Sequence, residues 1–473
     1  MLGDPGKEIK TLEQDSRKVV PGSMFFALRG TEMDGHDFID SAISSGATAI
    51  VCETFPGKIS RDVCYLRVAD IRRVIGLIAS AFYGNPSRRI KITGITGTNG
   101  KTTIATLLYQ LFVQMGHRSG LISTVSYLIN NRKLPATHTT PDPVTLNRLL
   151  YEMVKEGCEY CFMEVSSHSI AQQRISGIRF AGGIFTNISH DHLDYHKSFG
   201  EYLRVKKKFF DMLGSDSFAL INKDDRNADF MVQNTQARVK SYALKSMADF
   251  KGSIIERHFG GMHLNFNHRN LWVRLIGSFN ACNLLAVFAG AVLLGANEDE
   301  ALRIISSLTP VEGRFETIRS EKGVTAIVDY AHTPDALENV IDAIRQLLDS
   351  EARLITVAGA GGDRDRGKRP VMGKIAAEKS NYLILTSDNP RSEDPEIIIA
   401  EMKEGVEDAF RDRVLSVSNR EDAIRTACMM AGKGDFVLVA GKGHETYQEI
   451  KGVKHHFDDR EIVLSVFRSM QNI

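Results

Sequence analysis

Short apolar runs alternate with longer amphipathic stretches along most of the chain. Residues 88–117 (RRIKITGITGTNGKTTIATLLYQLFVQMGH) show an apolar run, a glycine-rich turn and a long helical pattern. After residue 314 the alternation is clearest, with apolar runs starting at Val324, Leu354, Tyr382 and Phe436. Near-continuous Val, Ile and Leu runs separated by helical patterns predict parallel strands that are covered on both faces. The pattern therefore predicts an α/β protein.

Two changes of texture divide the chain into three units. One lies near Pro86, where short apolar runs give way to the strand, turn and helix pattern, and the other lies near residues 310–314. A length of 473 residues also corresponds to about three domains of ~150 residues. We predict a small α/β domain at 1–88, a central domain with a mostly parallel sheet at 89–312 and a Rossmann-like domain at 313–473.

Charge narrows the classes of partner. The chain has 59 Lys and Arg against 58 Asp and Glu, a net charge of +1, and the two signs are interspersed. Such a surface does not predict binding to nucleic acid or to an anionic membrane through the overall field of the molecule. Local groups must therefore hold any anionic ligand.

Membrane and redox features favour a cytoplasmic protein. The longest apolar stretches, 74–81 and 284–295, are too short or too rich in Gly and Ala for a bilayer span of ~20 residues. The start of the chain, MLGDPGKEIK, lacks the apolar segment of a secretion signal. The six cysteines are scattered, and the pair Cys158 and Cys161 has no second pair to complete a zinc site. We expect a monomer with no membrane span and no nucleic-acid partner.

The glycine-rich turn carries the clearest chemical signal. Residues 94–103 (GITGTNGKTT) lie between a predicted strand and a predicted helix, which is the context of a P-loop. The strict pattern needs a glycine at position 95, where this chain has Ile95, so the loop is a variant. Backbone amides of the turn can hold phosphates, with Lys101 on the β- and γ-phosphates and the Thr102 hydroxyl on Mg²⁺.

Two further polar segments follow predicted strands. Glu164 ends the apolar run FME, so its carboxylate is available to bind a cation directly or through water. Residues 189–196 (SHDHLDYH) contain three His and two Asp. A solvated loop and a metal or phosphate site are about equally compatible with this second segment.

Eight motifs, in this order, resemble those of the Mur ligases: TGTNGKTT, HTTPD, MEVSSHS, HDHLDYH, DYAHTPD, GGDRDRGKRP, DNPR and GKGHE. The nearest match is the MurE type, and an N-terminal block, QDSRKVVPGSMFFALRG, extends the resemblance over nearly the whole chain. The resemblance implies an ATP-dependent amide ligase with three domains, which bind the UDP-muramoyl substrate, ATP on a P-loop ATPase-like fold, and an amino acid. The reaction would pass through an acyl phosphate on the D-Glu γ-carboxylate of UDP-N-acetylmuramoyl-L-alanyl-D-glutamate.

The resemblance also implies a nucleotide and metal site, with ATP and Mg²⁺ as cofactors. The implied ATP-binding residues are Gly97, Thr98, Asn99, Gly100, Lys101, Thr102, Thr103, Asn280, Asn283, Arg314 and Asp329. The implied catalytic residues are Lys101, Glu164, His192 and Lys206, and the implied Mg²⁺ ligands are Thr102, Glu164, His192 and a carbamylated Lys206 (N6-carboxylysine). Two alternatives stay open: Asn280 and Asn283 suit a helix start, and the run Lys206–Lys208 suits a solvated basic face.

The UDP-muramoyl dipeptide would be held by hydroxyl, amide and guanidinium groups. The resemblance assigns them to Ser16, Thr139, Thr140, Ser166, Gln172 and Arg174. The chain departs from the family pattern at His138, where Asn is frequent.

A pocket for a charged amino acid is predicted from the C-terminal sheet. The candidate residues all follow apolar runs, and loops after successive parallel strands converge on one crevice; they are Arg364, Asp388, Asn389, Pro390, Arg391, Gly441 and Glu445. Two arginines with an Asp and a Glu suit a zwitterion with an additional carboxylate, because arginine binds carboxylates through two hydrogen bonds. The DNPR motif resembles the type that adds meso-diaminopimelate, whereas lysine-adding relatives lack that arginine.

Three alternatives remain beside this hypothesis. A lysine-adding Mur ligase and a folylpolyglutamate synthetase-like ligase share the P-loop, although the DHLDYH, DNPR and N-terminal blocks disfavour the second. A non-catalytic P-loop switch protein would not need a carboxylate-binding pocket on a separate domain.

Overall fold

The structure is a computed structural model that describes residues 1–30, 33–189, 191 and 193–470, and of residues 193 and 194 it describes the backbone only. Three β-sheets follow one another along the chain, and a two-stranded hairpin completes the described strands. No helix in these ranges is both long enough and apolar enough to cross a membrane.

The N-terminal unit is a parallel sheet of four strands in the order β1-β2-β3-β4. Its elements are β1 (Thr11–Glu13), β2 (Ser23–Phe26), α1 (Ile39–Ser44), β3 (Ala47–Cys52), β4 (Cys64–Arg67) and α2 (Ile71–Phe82), with 3-10 helices at Ser16–Lys18 and Gly35–Phe38. The Asp70 side chain caps α2 by accepting from the Arg72 amide. One face of α2, with Ile71 and Ile75, packs on Phe26 and buries apolar surface.

The central unit is an 11-stranded sheet with the order β15-β14-β13-β12-β11-β10-β5-β9-β6-β7-β8. Its strands are β5 (Lys91–Thr96), β6 (Ser119–Ile122), β7 (Ser126–Ile129), β8 (Arg132–Pro135), β9 (Tyr160–Glu164), β10 (Gly182–Phe185), β11 (Phe218–Asn222), β12 (Arg238–Ala243), β13 (Phe250–His258), β14 (Gly261–Phe266) and β15 (Arg269–Val273). The seven strands from β13 to β6 run parallel, and antiparallel strands continue the sheet at both edges.

Helices cover both faces of this sheet. They are α3 (Lys101–Gln114), α4 (Pro143–Lys155), α5 (Ser167–Ala171), α6 (Leu193–His196), α7 (Phe199–Asp211), α8 (Ala228–Met231), α9 (Ser278–Leu293) and α10 (Glu298–Ile305), with a 3-10 helix at Pro86–Arg88. Helix α9 is apolar around most of its circumference because it packs against α3, α10 and the strands β11–β13. It therefore forms the centre of the largest apolar core.

The C-terminal unit is a six-stranded sheet in the order β16-β17-β21-β18-β19-β20, parallel except for β16. Its elements are β16 (Glu316–Arg319), β17 (Thr325–Asp329), α11 (Pro334–Arg345), β18 (Leu354–Ala358), α12 (Lys368–Lys379), β19 (Tyr382–Leu385), α13 (Pro395–Glu404), β20 (Val414–Ser416), α14 (Arg420–Met430), β21 (Phe436–Ala440), β22 (Tyr447–Ile450), β23 (Val453–His456) and α15 (Asp459–Met470), with a 3-10 helix at Asp408–Arg413. Strands β22 and β23 form an antiparallel hairpin outside the sheet.

This architecture confirms the predicted α/β fold class. The strands of the three sheets come from residues 11–67, 91–273 and 316–440, so the predicted boundaries at 88/89 and 312/313 fall between sheets. The turns after neighbouring parallel strands meet at the carboxyl edges of the sheets, which is where side chains from distant parts of the chain can act together.

Candidate active site

Two glycines of the turn between β5 and α3 occupy positions that exclude a side chain. Gly97 (φ 151°) lies against Thr186, so a Cβ at this position would overlap the threonine hydroxyl. Gly100 (φ 85°) lies against Asn283, whose Oδ1 would be 2.6 Å from a Cβ there. The backbone conformation at both positions also favours glycine. Ile95 lies inside β5 and is buried, so the glycine of the strict pattern is replaced by a core residue.

The loop after β10 supports the turn between β5 and α3. The Asn187 backbone oxygen accepts from the Thr98 amide at 2.8 Å, and its side-chain oxygen accepts from the Asn99 amide at 3.0 Å. The Thr186 hydroxyl donates to the Asn99 carbonyl at 2.6 Å. These bonds satisfy the backbone amides of Thr98 and Asn99 and the Asn99 carbonyl, and so they fix the conformation of the turn.

Two buried lysines donate to the same turn. Lys101 Nζ donates to the carbonyls of Gly97 (3.0 Å) and Thr98 (2.7 Å), and Lys206 Nζ donates to Gly97 O at 2.9 Å. Burial lowers the pKa of Lys101, against an opposing effect of Glu164, and burial together with the Lys101 charge lowers the pKa of Lys206 well below its usual value. The solvated-face alternative for 206–208 is wrong for Lys206 and Lys207, which are buried; Lys207 pairs with Asp211 at 2.6 Å.

Glu164 is the last residue of β9 and is almost fully buried. Its Oε1 accepts from the Thr124 amide at 2.7 Å, whereas its Oε2 has no hydrogen-bond partner among the described residues. A buried carboxylate oxygen without a donor is costly unless a ligand satisfies it. This oxygen, together with the Thr102 hydroxyl that lines the same cavity, fits a hard cation such as Mg²⁺.

A cavity of about 450 Å³ joins these groups. Its walls come from the central and C-terminal units and include Lys101, Thr102, Glu164, Asp191 and Lys206. The predicted ligand His192 lies outside the described residues. In the ranges that the structure does describe, no three His, Cys, Asp or Glu side chains are grouped as a metal site.

The C-terminal unit closes the cavity through hydrogen bonds of Arg314 and Asp335 to the central unit. Arg314 Nη2 donates to the Thr102 hydroxyl at 3.1 Å, and its guanidinium lies 4.5 Å from the centre of the Tyr330 ring. Asp335 accepts from the Asn99 side chain at 2.6 Å. Burial raises the pKa of Asp329 to about 6, although the nearby Arg314 opposes this shift.

The two asparagines of α9 are placed differently. Asn283 lines the cavity, whereas Asn280 does not. The side-chain Nδ2 of Asn280 donates to the Ile276 carbonyl at 2.8 Å. Neither side chain caps α9, because Gly277 is the N-cap. The helix-start alternative holds by position for Asn280, which lies in the first turn, and fails for Asn283.

Most residues predicted to hold the dipeptide form one cluster beside the cavity. The Thr140 hydroxyl lies 3.4 Å from the Ser166 hydroxyl, and the Thr140 carbonyl accepts from Arg174 Nη1 at 2.8 Å. The remaining guanidinium nitrogens donate to Gln172 Oε1 at 2.7 and 3.0 Å. Thr139 lines the cavity.

Ser16 lies apart from this cluster. It begins a 3-10 helix of the N-terminal unit, and its side chain makes no hydrogen bond to the central unit among the described residues. The two units meet nearby, where Gln14 Nε2 donates to Asp142 Oδ1 at 2.6 Å. His138 directly precedes Thr139, and burial and the Arg174 charge lower the pKa of its imidazole.

The predicted amino-acid pocket is assembled by the loops after β18, β19 and β21. A Cβ on Gly361 would lie 3.0 Å from Arg391 Nη1 and 3.7 Å from Arg364 Cγ, so both arginines border this glycine. The Pro390 carbonyl packs on Gly362, where a Cβ would overlap it. The side chain of Asn389 donates to Glu445 at 2.8 Å and so joins the other side of the pocket.

Arg391 is held in an unusual backbone conformation by the β22–β23 hairpin. Its φ of 51° lies in the left-handed region, which non-glycine residues seldom adopt. Its amide donates to Glu449 O at 3.0 Å, and its carbonyl accepts from the Lys451 amide at 2.7 Å. Arg391 Nη1 donates to the Gly362 carbonyl at 2.6 Å. The hairpin therefore fixes the direction in which the guanidinium leaves the backbone.

Sequence reasoning missed Lys442, which is fully buried in the GKGHE motif. Its Nζ donates to Asn389 Oδ1 and Glu445 Oε2, both at 3.2 Å. Burial alone would raise the pKa of Asp388, but Lys442 and Arg420 lower it, whereas burial and Asp388 raise the pKa of Glu445. The signal was its place directly after β21, between two glycines.

His332 predicts how folding stability depends on pH. Burial and the Lys368 charge lower its pKa to about 4, from 6.5 in an unfolded chain, and its Nδ1 donates to Tyr330 O at 2.8 Å. The folded state binds fewer protons than the unfolded state between these values, so this contribution is complete above pH 6.5 and is lost as pH falls towards 4. We expect His332→Asn to lose less stability than wild type between pH 7 and 4.5 in urea titrations.

The matched control is His456→Asn. His456 is exposed, and Glu461 raises its pKa, so its contribution has the opposite sign and its removal should not reduce acid sensitivity. Equal pH slopes for wild type and His332→Asn would contradict the assignment.

Comparison with known proteins places these features in a family. Three family models match: "Mur ligase family, catalytic domain" at residues 8–83, "Mur ligase middle domain" at 95–291 and "Mur ligase, glutamate ligase domain" at 313–443. Proteins named UDP-N-acetylmuramoyl-L-alanyl-D-glutamate–2,6-diaminopimelate ligase are similar over nearly the whole chain. That of Bacteroides thetaiotaomicron is 57% identical, covering 99% of this chain and 97% of its own, and that of Geobacillus kaustophilus is 42% identical, covering 97% and 94%.

Solved structures agree. A structure of a UDP-N-acetylmuramoyl-L-alanyl-D-glutamate–2,6-diaminopimelate ligase aligns with a TM-score of 0.68 at 33% identity, covering 98% of this chain and 95% of that one. A Mycobacterium tuberculosis folylpolyglutamate synthase complexed with ADP aligns with a TM-score of 0.66 at 18% identity, covering 78% and 92%. This second likeness shows a shared fold.

Proposed function

The chain belongs to the Mur ligase family, and we propose that it joins meso-diaminopimelate to UDP-N-acetylmuramoyl-L-alanyl-D-glutamate in an ATP-dependent step of peptidoglycan precursor synthesis. The relatives named for this reaction support the proposal. The observation that carries it is that the loops bearing the pocket side chains meet: Arg364 and Arg391 both border Gly361, and Asn389 of the Arg391 loop donates to Glu445. Two arginines and a glutamate suit an amino acid with two ammonium groups and a distal carboxylate. A lysine-adding enzyme would have no distal carboxylate for the second arginine.

The first chemical step transfers the γ-phosphoryl group. A bond forms between phosphorus and an oxygen of the D-Glu γ-carboxylate, and the bond from phosphorus to the β-phosphate oxygen breaks, which gives an acyl phosphate and ADP. The protein contributes position and charge to such a step. We assign the phosphates to the turn at 97–103, where Lys101 and Arg314 can exchange their present acceptors for phosphate oxygens.

The second step forms the amide. A neutral amine of diaminopimelate attacks the acyl carbon and a carbon–nitrogen bond forms. The tetrahedral intermediate expels phosphate as the carbon–oxygen bond breaks, and the nitrogen gives its proton to water. Arg364 and Arg391 would hold carboxylates of the amino acid and Glu445 would hold its distal ammonium, which leaves the other amine to face the acyl carbon. Holding the reactants in this geometry supplies much of the rate enhancement.

Mg²⁺ would be held by Thr102, Glu164, His192 and carbamylated Lys206. When bound, the ion would neutralise phosphate charge during transfer. Lys206 suits carbamylation because its lowered pKa favours the neutral amine, which adds to CO2 and releases one proton to give a carbamate. That change would turn a buried amine into an anion, which would attract the Lys101 ammonium.

The ligands would then be divided among the three units. We propose that 1–88 binds the UDP-muramoyl part with Ser16, that 89–312 binds ATP and the dipeptide, and that 313–473 binds the amino acid. Closure of units around the substrates is expected for such an arrangement. We also propose a cytoplasmic monomer.

Substrate-dependent phosphate release tests the function. With ATP, Mg²⁺ and the UDP-muramoyl dipeptide, we expect release to depend on meso-diaminopimelate and to be at least ~100-fold slower with lysine at equal concentration, because lysine lacks a partner for one arginine. Colorimetric phosphate and mass spectrometry of the product are the measurements. Release without an amino acid would contradict the ligase proposal, equal use of lysine would contradict the specificity, and use of folate substrates would support the folylpolyglutamate alternative.

Arg391→Asn tests the role of the DNPR arginine. Asn tolerates the left-handed backbone, so the variant removes the guanidinium with little strain. We expect KM for diaminopimelate to rise roughly 10- to 100-fold, the value of a charge-assisted hydrogen bond, with KM for ATP within about twofold. Arg425→Ala, on the exposed face of α14, is the control. A similar rise for both substrates would mean that Arg391 holds the domain together.

Lys206 is tested by bicarbonate. We expect wild-type activity to fall in CO2-depleted buffer and to recover with bicarbonate, and 13C-bicarbonate to give a carbamate NMR signal that is absent from Lys206→Arg. Lys208→Ala, which changes an exposed neighbour, should keep the signal. A wild-type enzyme that neither loses activity nor shows the signal would disprove carbamylation.

A further inference from the structure

A fully buried ion pair lies beneath the amino-acid pocket. Arg420, the first residue of α14, donates to Asp459, the first residue of α15, through Nε at 2.8 Å and Nη2 at 2.7 Å. Both side chains are 0% exposed. Burying two charges costs several kcal/mol per ion, roughly, and well-packed apolar side chains are often as stable. The pair is therefore poorly explained by stability alone.

Arg420 also contacts the end of a pocket strand. Its Nη2 donates to the carbonyl of Ala440 at 2.9 Å, and Ala440 ends β21 directly before Gly441. Gly441 has a φ of 120°, and a Cβ on it would lie 2.5 Å from Asp388 Oδ2 and 3.9 Å from Arg420 Nη2. The turn at Gly441 thus lies between the carboxylate of one pocket loop and the guanidinium.

Two orphaned polar atoms flank the same turn. Among the described residues, Asp388 Oδ2 and Arg420 Nη1 are buried and have no hydrogen-bond partner. Asp388 is oriented through its Oδ1, which accepts from the Asn389 amide at 2.7 Å. Because Asp459 takes two nitrogens of Arg420, the guanidinium acts on Asp388 through its charge without forming an ion pair with it.

The electrostatic surroundings of Asp388 are mixed. The charged and titratable groups that face it are Lys442, Arg420, His332, Glu445 and Tyr330. Lys442 must also serve Glu445, to which it donates. Arg420, unlike Lys442, makes no hydrogen bond to Glu445 among the described residues. Its positive charge near Asp388 is therefore not shared with Glu445 by direct contact.

We propose that Arg420, held by Asp459, is a positioning residue of the amino-acid pocket, where it fixes the Ala440–Gly441 turn and the Asp388 carboxylate beneath it. With Asp388 ionised and in place, Lys442 is held between it and Glu445, and Asn389 keeps its bond to Glu445. The pair does not touch the substrate, but it thereby sets the position of the side chains that contact the diamino acid. This inference rests on the proposed function.

The test is the double variant Arg420→Met, Asp459→Leu. It removes both charges together, so neither is left buried alone and folding stability should stay close to wild type in urea titration. We expect KM for diaminopimelate to rise at least tenfold, with KM for ATP and for the UDP-muramoyl dipeptide within about twofold. Loss of a positive neighbour should raise the pKa of Asp388, so the acid limb of kcat/KM for diaminopimelate should move to higher pH.

Arg420→Lys separates charge from geometry. It keeps the charge and loses the two-nitrogen contact, so we expect a raised KM for diaminopimelate with an unmoved acid limb. It carries the same test if the double variant does not fold. Unchanged KM values and pH profile in either folded variant, or an equal rise for all three substrates, would overturn the proposal. A wild-type enzyme that does not use diaminopimelate would contradict the proposed function itself. If the wild type uses diaminopimelate and a variant gives either overturning result, this inference alone fails.

Discussion

The burial of two lysine side chains against one turn of backbone is the constraint on which the site depends. Lys101 and Lys206 both donate to the Gly97 carbonyl and have no carboxylate within ion-pair distance among the described residues. Two like charges in such a place are unfavourable until an anion or a change of protonation relieves them. The turn is therefore built for a ligand of high negative charge, which fits the phosphates of ATP and a carbamate at Lys206.

The surrounding fold is arranged to keep that constraint in place. Strands β5, β9 and β10 are neighbours in the central sheet, so the phosphate turn, Glu164 and the bracing Asn187 emerge from one edge. The C-terminal unit then contributes Arg314 and Asp335 to the same cavity. Because each unit brings only part of the machinery, the phosphate end and the amino-acid end can be aligned by the way the units meet.

Much of this could be predicted from the chain. Apolar runs with period and turn signals predicted the α/β class and the strand before each motif, and the Gly-Lys-Thr spacing placed Lys101 and Thr102 at a helix start. The burial of Lys206 and Lys207 could not be predicted, since a run of three lysines suggests a solvated face and only packing of α7 decides otherwise. Lys442 and Arg420 were missed because they bond to residues that are distant in the chain. Asn389 is 53 residues from Lys442, and Ala440 and Asp459 are 20 and 39 residues from Arg420. Asn280 and Asn283 lie three residues apart on one face of α9, where Asn283 Nδ2 donates to Asn280 Oδ1, and the sequence could not tell that only Asn283 of the two lines the cavity.

The left-handed backbone at Arg391 has a consequence for how this pocket can change over generations. The hairpin β22–β23 clasps that residue through main-chain bonds, which no substitution of a side chain removes. A residue that replaces Arg391 must therefore adopt the same left-handed backbone conformation. β-branched residues would be unfavourable there whatever their fit to a ligand. Asn and Gly are the residues that could replace arginine here with the least backbone strain. A shift of substrate preference would accordingly pass through few intermediates, or would need the hairpin to change first.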